Sequence, residues 1–483
     1  MNDIQRRLFV EAAAIVDKFP GRKIVTDSRK IECGDIFVAV SGVNVEGKNF
    51  ISDAAARGAA AVVYSGTLSE KLPGIEYIEV SDSRMIVSYL YKAYYNSPDE
   101  AVKLYAVTGT NGKTTSAFLL KFILQQCGIK CGLFSTVEYF TGKEYLPATH
   151  TTPDAGQFFR LLDLMKANGL TACAMESSSH ALAQNRLDSA EISGAIFTNL
   201  TGDHLDFHLN MENYFAAKLR LFTELLKNGG TAAINIDDPY GRKLIELAGK
   251  NCSAVSFGTA CDADYQICDT EILPGKMSFK LCGKDVEMNI VSSLTGAYNI
   301  HNLAGVLTLL HAEGIPADVL EKCAAMPFQV PGRLEKVPTA SSAQFYVDFA
   351  HTDDALRNVL STVKEFTAGK LWVVFGAGGD RDRTKRPRMG EAASEYADVI
   401  VVTSDNPRSE EPQAIINDIL SGIPQGKTVY VEVDRASALR YAVENACAGD
   451  TVVVAGKGHE NYQEIAGVKY PFSDREILAG IEK

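Results

Sequence analysis

The chain has 483 residues, of which 46% are hydrophobic and 22% are charged, proportions that are typical of globular proteins and argue against extensive disorder. At about 150 residues per domain, this length predicts three domains. The formal net charge of −12 argues against non-specific binding to nucleic acid or to an anionic membrane, because both require a broad basic surface. No apolar run is long enough to span a bilayer and the first residues carry no cleavage-site pattern, so we expect a cytoplasmic protein without membrane insertion.

The amino-terminal part alternates short apolar runs with helical stretches. Apolar runs occur at residues 23–26 and 35–40, and an alanine-rich helical stretch follows at residues 54–64. A second helical pattern over residues 83–95 ends at Asn96-Ser97-Pro98, a sequence typical of a linker. These patterns predict a small α/β domain over residues 1–100.

The most informative segment is residues 108–115, Thr-Gly-Thr-Asn-Gly-Lys-Thr-Thr. It lies between an apolar strand pattern at residues 104–107 and a helical pattern that begins near Phe118. Its two glycines allow a tight turn, so that backbone N–H groups and the amino terminus of the helix face anionic oxygens. Lys113 adds a cation and Thr114 can reach Mg²⁺. The segment therefore predicts a phosphate loop for a nucleoside triphosphate, in a shortened form that has Val107 where the general pattern has glycine.

Three further apolar strand patterns in the central part each stop at a polar cluster, near residues 176–180, 198–204 and 235–238. Strands separated by helices predict a mostly parallel sheet. The segment 257–289 has the pattern of antiparallel strands, and residues 303–313 have that of a helix. Pro327 and Pro331 then break the chain, so we place a central ATP-binding domain at residues 101–331.

The last part shows the same pattern four times, an apolar strand that ends in a polar cluster. These strands lie near residues 345–349, 371–375, 399–403 and 451–455. Ligands of open parallel sheets bind beyond the carboxyl ends of the strands, so these clusters should share one side of a second site. This predicts a Rossmann-like domain over residues 332–483. Fixed charges of both signs suit a zwitterion such as an amino acid; they are Arg381, Asp405, Arg408, Lys457 and Glu460.

A triphosphate site together with an amino-acid site suggests ATP-driven amide formation through an acyl phosphate. Thr114 and Glu176 offer the oxygen ligands that Mg²⁺ prefers, whereas His204 suits a second, weaker site. The sequence leaves other interpretations open: Glu176 as a helix-capping carboxylate, His204 as a hydrogen-bonded turn residue and Lys218 as a solvated surface lysine.

Taken together, these motifs resemble those of the Mur ligase family across all three predicted domains. In chain order, the matching segments are Asp27-Ser28-Arg29, residues 108–115, Thr151-Thr152-Pro153, 176–180 with Gln184 and Arg186, 198–206, 214–218, Asn299, Asn302, 332–335, 348–352, 380–382, 405–408 and 456–460. The resemblance implies an ATP-dependent acid–amino-acid ligase that builds peptidoglycan precursors and uses ATP and two Mg²⁺ ions. We also expect a monomer.

The resemblance also implies a role for individual residues. The UDP-sugar peptide would be held by Ser28, residues 44–48, Thr151, Thr152, Ser178, Gln184 and Arg186. ATP would be held by Gly109, Thr110, Asn111, Gly112, Lys113, Thr114, Thr115, Asn299, Asn302, Arg333 and Asp348. Catalysis would depend on Lys113, Glu176, His204 and Lys218, with Mg²⁺ bound by Thr114, Glu176, His204 and a carbamylated Lys218 (N6-carboxylysine). The incoming amino acid would be held by Arg381, Asp405, Asn406, Pro407, Arg408, Gly456 and Glu460.

Residues 405–408, Asp-Asn-Pro-Arg, which we call the tetrad, resemble those of family members that add meso-2,6-diaminopimelate to UDP-N-acetylmuramoyl-L-alanyl-D-glutamate. A guanidinium can pair bidentately with the additional carboxylate of that amino acid, and lysine-adding relatives typically lack the arginine. The alternatives are a ligase for lysine or D-alanyl-D-alanine, a folylpolyglutamate synthetase, and a nucleotide-binding module without ligase activity.

Overall fold

The computed structural model describes residues 3–40, 46–248, 252–273 and 275–481. Contacts divide the chain into two compact units. The first comprises Met1–Ile267, Cys282–Val286 and Asn302–Cys323, and the second comprises Cys268–Leu281, Glu287–His301 and Ala324–Lys483. The predicted boundaries at residues 100 and 331 remain predictions.

The helices are numbered in chain order. They are α1 (Asp3–Lys18), α2 (Ile51–Ala56), α3 (Ser83–Tyr94), α4 (Lys113–Gln126), α5 (Ala155–Ala167), α6 (Ser179–Ala183), α7 (Leu205–His208), α8 (Met211–Arg220), α9 (Pro239–Ala248), α10 (Ala297–Ala312), α11 (Ala317–Ala324), α12 (Asp353–Phe366), α13 (Lys385–Tyr396), α14 (Pro412–Leu420), α15 (Arg435–Asn445) and α16 (Asp474–Gly480). Among the described residues, no helix has both the length and the apolar character needed to cross a bilayer.

The strands lie between these helices. They are β1 (Ile24–Val25), β2 (Ile36–Val38), β3 (Ala61–Ser65), β4 (Glu76–Val80), β5 (Lys103–Thr108), β6 (Cys131–Phe134), β7 (Glu138–Phe140), β8 (Tyr145–Pro147), β9 (Ala172–Glu176), β10 (Ile192–Phe197), β11 (Leu226–Asn235), β12 (Ser253–Gly258), β13 (Tyr265–Leu273), β14 (Lys276–Gly283), β15 (Val286–Ser292), β16 (Glu335–Val337), β17 (Gln344–Asp348), β18 (Leu371–Phe375), β19 (Val399–Val402), β20 (Thr428–Val431), β21 (Thr451–Ala455), β22 (Tyr462–Ile465) and β23 (Val468–Pro471).

The first unit contains two sheets, one parallel and one mostly parallel. The smaller has the order β1-β2-β3-β4, and its strands pair in parallel throughout. The larger includes, in order, β12-β11-β10-β5-β9-β6 with parallel pairing, and β7 and β8 extend one edge in antiparallel fashion. Strands β5, β9 and β10 are almost entirely buried, as expected for central strands covered by helices on both faces. Their carboxyl ends therefore meet at one edge of the sheet.

The second unit is built on a sheet of order β16-β17-β21-β18-β19-β20. All its neighbours pair in parallel except β16 with β17. The four strands with polar ends that the sequence predicts are thus β17, β21, β18 and β19, side by side. One face of the sheet packs against apolar residues of α12, α13 and α14, and the other against those of α15 and α16. The α/β class with mostly parallel sheets is confirmed.

Three local predictions need correction. Strand β13 pairs in parallel with β12, through Phe257 with Tyr265, so the antiparallel pattern expected from residue 257 onward was wrong at that point. Helix α10 begins at Ala297, several residues before the predicted start, which places Asn299 and Asn302 on the helix and not in its entry loop. The sequence also predicts one helix over residues 212–225, but helix α8 ends at Arg220 and the chain continues as a π-helical turn, Leu221–Leu225.

Candidate functional site

The phosphate loop joins the end of β5 to the start of α4. Gly112, at the N-cap of α4, has φ +86° and forms no side-chain capping hydrogen bond. The amino terminus of a helix suits an anion, because phosphate oxygens accept hydrogen bonds from backbone N–H groups. The predicted strand, loop and helix are therefore present in the expected order.

The segment after β10 holds this loop from the side. The backbone N–H of Thr110 donates to the Asn199 carbonyl at 2.9 Å, and that of Asn111 donates to Asn199 Oδ1 at 2.9 Å. The Thr198 hydroxyl donates to the Asn111 carbonyl at 2.6 Å. A Cβ at Gly109, where φ is +153°, would lie 1.9 Å from Thr198 Oγ1. The close approach explains why glycine occupies this position.

Two lysines converge on one carbonyl of the loop. Lys113 Nζ donates to the Gly109 carbonyl at 2.9 Å, and Lys218 Nζ, from α8, donates to the same oxygen at 2.8 Å. Lys218 is 1% exposed, and its Nζ lies 4.5 Å from the ring centre of Tyr214. Burial, followed by the positive charge of Lys113, holds the pKa of the Lys218 amine well below its ordinary value, against a smaller opposing effect of Asp203. The surface-lysine interpretation of Lys218 is therefore wrong.

Asn302 lies against the phosphate loop, since a Cβ at Gly112 would be 2.2 Å from Asn302 Oδ1. Thr114 and Thr115 lie in the first turn of α4 and are buried. These placements bring seven of the expected ATP-binding positions together with Asn302 in the first unit. The other three, Asn299, Arg333 and Asp348, belong to the second unit.

Glu176 ends β9 and is 1% exposed. Its carboxylate accepts from the backbone N–H of Thr136 at 2.7 Å and from the Thr136 hydroxyl at 3.2 Å. It does not cap a helix by these contacts, and Ser178 instead caps α6. Two oxygens fixed at the sheet edge are suited to an oxygen-seeking cation.

The residues expected to hold the sugar peptide form one network beside Glu176. The Thr152 hydroxyl donates to the Glu176 carbonyl at 2.8 Å, and the Ser178 backbone N–H donates to Thr152 Oγ1 at 3.0 Å. Arg186 Nη1 donates to the Thr152 carbonyl at 2.9 Å and its Nη2 donates to Gln184 Oε1 at 2.8 Å. Thr151 Oγ1 lies 3.1 Å from the Thr136 hydroxyl oxygen. The sequence separates these residues, and the structure brings them together.

The other residues expected to hold the UDP-sugar peptide, Ser28 and residues 44–48, lie in the amino-terminal part. Ser28 is buried at the start of a short 3₁₀ helix, Ser28–Lys30. In the expected segment 44–48, residues 44 and 45 lie outside the described residues, and Gly47 and Lys48 belong to a 3₁₀ helix, Gly47–Phe50.

His204 lies at the N-cap of the short helix α7, with φ +54°. Its side chain is 46% exposed, and Nε2 lies 3.3 Å from an oxygen of Asp203. The ring centre is 4.8 Å from that of His180. Among the described residues, no group of three His, Cys, Asp or Glu side chains is arranged to hold a metal ion. Any Mg²⁺ site here would thus need phosphate, water, hydroxyl or modified-lysine oxygens.

The second unit gathers the opposite charges predicted for an amino acid. Lys457, fully buried, lies 3.1 Å from both Asn406 Oδ1 and Glu460 Oε2, and Asn406 Nδ2 donates to the same Glu460 oxygen at 2.8 Å. Gly456 has φ +111°, and a Cβ there would lie 2.4 Å from Asp405 Oδ2. The ends of β19 and β21 thus bring Asp405, Asn406, Gly456 and Glu460 into one cluster.

Arg408 and the loop after β18 complete this cluster. Arg408 Nη1 donates to the Gly379 carbonyl at 2.7 Å, and a Cβ at Gly378 would lie 2.9 Å from that nitrogen and 3.8 Å from Arg381 Cγ. A Cβ at Gly379 would lie 1.9 Å from the carbonyl oxygen of Pro407. All seven residues expected to hold the amino acid therefore lie at one edge of the sheet.

Asp348 and Arg333 adjoin one another in the second unit. Asp348, at the end of β17, accepts the backbone N–H groups of Leu334 at 2.6 Å and Ala350 at 2.8 Å, so it also shapes the local backbone. Burial raises the pKa of Asp348, an effect that nearby Arg333 and these hydrogen bonds oppose. The Arg333 guanidinium lies 4.7 Å from the ring centre of Phe349. Asn299 donates to the Thr295 carbonyl at 2.9 Å.

Sequence reasoning missed the hairpin formed by β22 and β23. Its strands pair in antiparallel register, and Ala466 and Gly467 at the turn have φ +49° and +78°. Gln463 Nε2 donates to the Asp405 carbonyl at 2.7 Å, and the Glu464 N–H donates to Asn406 Oδ1 at 2.9 Å. Only the glycine of Ala466-Gly467 fits the usual two-residue hairpin signal, whose first position is typically Asn, Asp or Gly, so this turn is only weakly indicated by the sequence.

Comparisons with known families cover most of the chain. Residues 22–95 match the family described as "Mur ligase family, catalytic domain", residues 107–310 match "Mur ligase middle domain", and residues 332–458 match "Mur ligase, glutamate ligase domain". The UDP-N-acetylmuramoyl-L-alanyl-D-glutamate–2,6-diaminopimelate ligase of Geobacter sulfurreducens is 41% identical over 471 residues, covering 93% of this chain and 92% of that protein. The chain belongs to the Mur ligase family. The ligase of the same name from Aquifex aeolicus is 39% identical and covers 98% of this Mur ligase and 96% of its own length.

Solved structures agree with this membership. A structure of a UDP-N-acetylmuramoyl-L-alanyl-D-glutamate–2,6-diaminopimelate ligase has a TM-score of 0.68 at 35% identity, with 95% of this chain and 94% of that chain covered. MurF ligase from Thermotoga maritima in complex with ADP has a TM-score of 0.61 at 18% identity, covering 94% and 95%, and shares the Mur ligase fold.

Proposed function

We propose that this Mur ligase joins meso-2,6-diaminopimelate to UDP-N-acetylmuramoyl-L-alanyl-D-glutamate at the expense of ATP. The observation that carries the proposal is the cluster at the sheet edge of the second unit, where Glu460 lies beside the tetrad that contains Arg408. A guanidinium suits a carboxylate and a carboxylate suits an ammonium, so the cluster suits an amino acid that carries both groups at its distal end. Relatives that are named for this reaction match the chain along nearly its full length, at 41% and 39% identity.

The reaction requires two displacements. A γ-carboxylate oxygen of the D-glutamyl residue attacks the γ-phosphorus of ATP, ADP leaves, and an acyl phosphate forms. The amine nitrogen of diaminopimelate then attacks the acyl carbon, inorganic phosphate leaves, and the amine loses a proton. Lys113 and the backbone N–H groups at the start of α4 would stabilise negative charge on the phosphate oxygens.

Carbamylation of Lys218 is part of the proposal. The neutral Lys218 amine can attack CO₂, forming an N–C bond and losing a proton, and burial together with Lys113 favours that neutral form. The resulting carboxylate would lie beside Lys113, whose positive charge would stabilise it. Carbamylation thus accounts for a lysine that is buried next to a second lysine.

Two Mg²⁺ ions would complete the triphosphate site. The residues fit such ions, since Thr114 and Glu176 present the oxygen ligands that Mg²⁺ prefers and a carbamylated Lys218 would add more; His204 is the least natural ligand of the set. Bound magnesium would neutralise charge on the phosphate groups. The buried Glu176 carboxylate, fixed by Thr136, would keep its orientation whether or not a cation is bound.

We further propose a monomer located in the cytoplasm, where ATP and nucleotide-linked sugars are available. The sugar peptide would contact the network formed by Thr152, Ser178 and Arg186. Ser28 would contact the nucleotide sugar from the amino-terminal part.

Release of inorganic phosphate tests the proposal. With ATP and Mg²⁺ present, we expect release only when both the UDP-sugar dipeptide and meso-diaminopimelate are added. Omission of either substrate is the control. Release without any amine would contradict ligation, and equal release with L-lysine would contradict the specificity assigned to Arg408.

A further inference from the structure

Arg408 has a left-handed backbone, with φ +52°, which is uncommon for a residue with a long side chain. The hairpin holds this conformation through two hydrogen bonds. The Arg408 N–H donates to the Glu464 carbonyl at 3.0 Å, and the Ala466 N–H donates to the Arg408 carbonyl at 2.7 Å. Arg408 thus pairs with Ile465 as an isolated parallel bridge.

The same strand of the hairpin also contacts the Arg408 side chain. Glu464 Oε2 lies 3.3 Å from Arg408 Nε, and the two side chains are 24% and 20% exposed. On the other side, Nη1 donates to the Gly379 carbonyl. A guanidinium is planar, so contacts at Nε and at Nη1 together fix the direction of its plane. Neither of these two contacts uses Nη2.

We propose that Glu464 is a positioning residue that fixes the Arg408 guanidinium for the distal carboxylate of the incoming diamino acid. The inference rests on the proposed function. Glu464 also spans two members of the tetrad, because its backbone N–H donates to Asn406 Oδ1 while its carboxylate pairs with Arg408. A carboxylate in this place orders the arginine before substrate arrives, so that less side-chain freedom is lost on binding.

Glu464→Gln tests the proposal, because it keeps the shape of the side chain and removes its charge. We expect the KM for meso-diaminopimelate to rise roughly fivefold, since one charge-assisted contact is weakened at a partly exposed site. The kcat and the KM for ATP should stay within about twofold, because the described contacts of Glu464 are made with Arg408 and Asn406 in the amino-acid cluster. Glu464→Asp keeps the charge on a shorter stem. Its KM for meso-diaminopimelate should lie between those of the wild type and Glu464→Gln.

Glu476→Gln is the matched control, since Glu476 is an exposed carboxylate in α16 of the same unit. It should leave all three constants unchanged. In an Arg408→Lys background, Glu464→Gln should change the KM for diaminopimelate by less than about twofold, because coupled residues do not act additively.

The outcomes separate this inference from the proposed function. An unchanged or lowered KM in Glu464→Gln, with an active wild type, would overturn the positioning role alone. Equal effects of Glu464→Gln with and without Arg408 would also overturn it. A wild type that releases no phosphate with diaminopimelate would overturn the proposed function and this inference with it.

Discussion

Lys218 is the residue on which the phosphate end of the site depends. Its amine shares the Gly109 carbonyl with Lys113 and lies over the ring of Tyr214. Burying an amine beside a second amine is unfavourable unless the amine is neutral or modified. The carbamate proposed above would convert this unfavourable pair into an attractive one.

Replacing Lys218 with alanine should abolish activity, with a loss of at least roughly 100-fold, because an oriented charge at the phosphate site disappears. Added short carboxylates should restore part of the phosphate release by occupying the vacated space. Lys243→Ala is the control, since Lys243 is an exposed lysine on the neighbouring helix α9 and its loss should leave activity intact.

Isotopically labelled bicarbonate gives an independent test of the modification. The wild type should show a carbamate carbon signal by NMR that Lys218→Ala lacks. Near-wild-type phosphate release by Lys218→Ala would contradict a catalytic role for this lysine.

The burial of Lys218 was within reach of sequence reasoning. Tyr214 and Lys218 are four residues apart on α8, so they lie on the same face of the helix, and that face is buried. The general rule that lysines are exposed outweighed this spacing. Glu464 is different: its relation to Arg408 depends on how the hairpin docks on the tetrad, and that contact has no local pattern in the sequence.

At the scale of elements, the loop between β5 and α4 depends on glycine at two places for different reasons. At Gly109 a Cβ would clash with the Thr198 side chain. Gly112 combines a positive φ with close contact to Asn302. Gly128, which follows the same helix, has a similar φ of +80° and no neighbouring atom within 4 Å of its Cβ position. Gly112 and Gly128, at the two ends of α4, therefore share a left-handed backbone and differ in whether another side chain lies against them.

Gly112→Ala and Gly128→Ala should both lose about 1–2 kcal/mol of stability from the left-handed backbone. Only Gly112→Ala should also displace Asn302, and we expect its kcat/KM for ATP to fall at least roughly tenfold, because a small displacement in a positioned site has a large kinetic cost. Steady-state kinetics and thermal unfolding of both variants measure the difference. Equal kinetic effects of the two substitutions would contradict the placement of Asn302 at the phosphate loop.

The elements themselves were largely predictable. Apolar strands that stop at glycine-bearing polar clusters correctly indicated parallel sheets, and the four carboxyl-terminal strands are neighbours. The pairing direction of strand β13 was harder to predict, because residues that alternate in polarity do not reveal whether the neighbouring strand runs parallel or antiparallel. The entry into α10 was also misplaced, since glycine and asparagine near its start suggested a longer loop.

At the scale of the whole molecule, the proposed binding roles follow one another along the chain. The three Mur ligase regions follow one another along residues 22–458, and relatives cover nearly the full chain. The phosphate loop and the sugar-peptide network lie in the first unit, and the tetrad lies in the second. The family resemblance of the motifs implied these roles, which remain proposals, whereas the contacts that orient each side chain required the fold.

The identity of the amino acid added is the central claim, and a competition experiment tests it most directly. The protein is incubated with ATP, Mg²⁺, the UDP-sugar dipeptide and equal concentrations of meso-diaminopimelate and L-lysine, and the nucleotide product is identified by mass spectrometry. We expect the product that carries diaminopimelate to predominate strongly. A lysine product in comparable amount, or no amide product at all, would contradict the account.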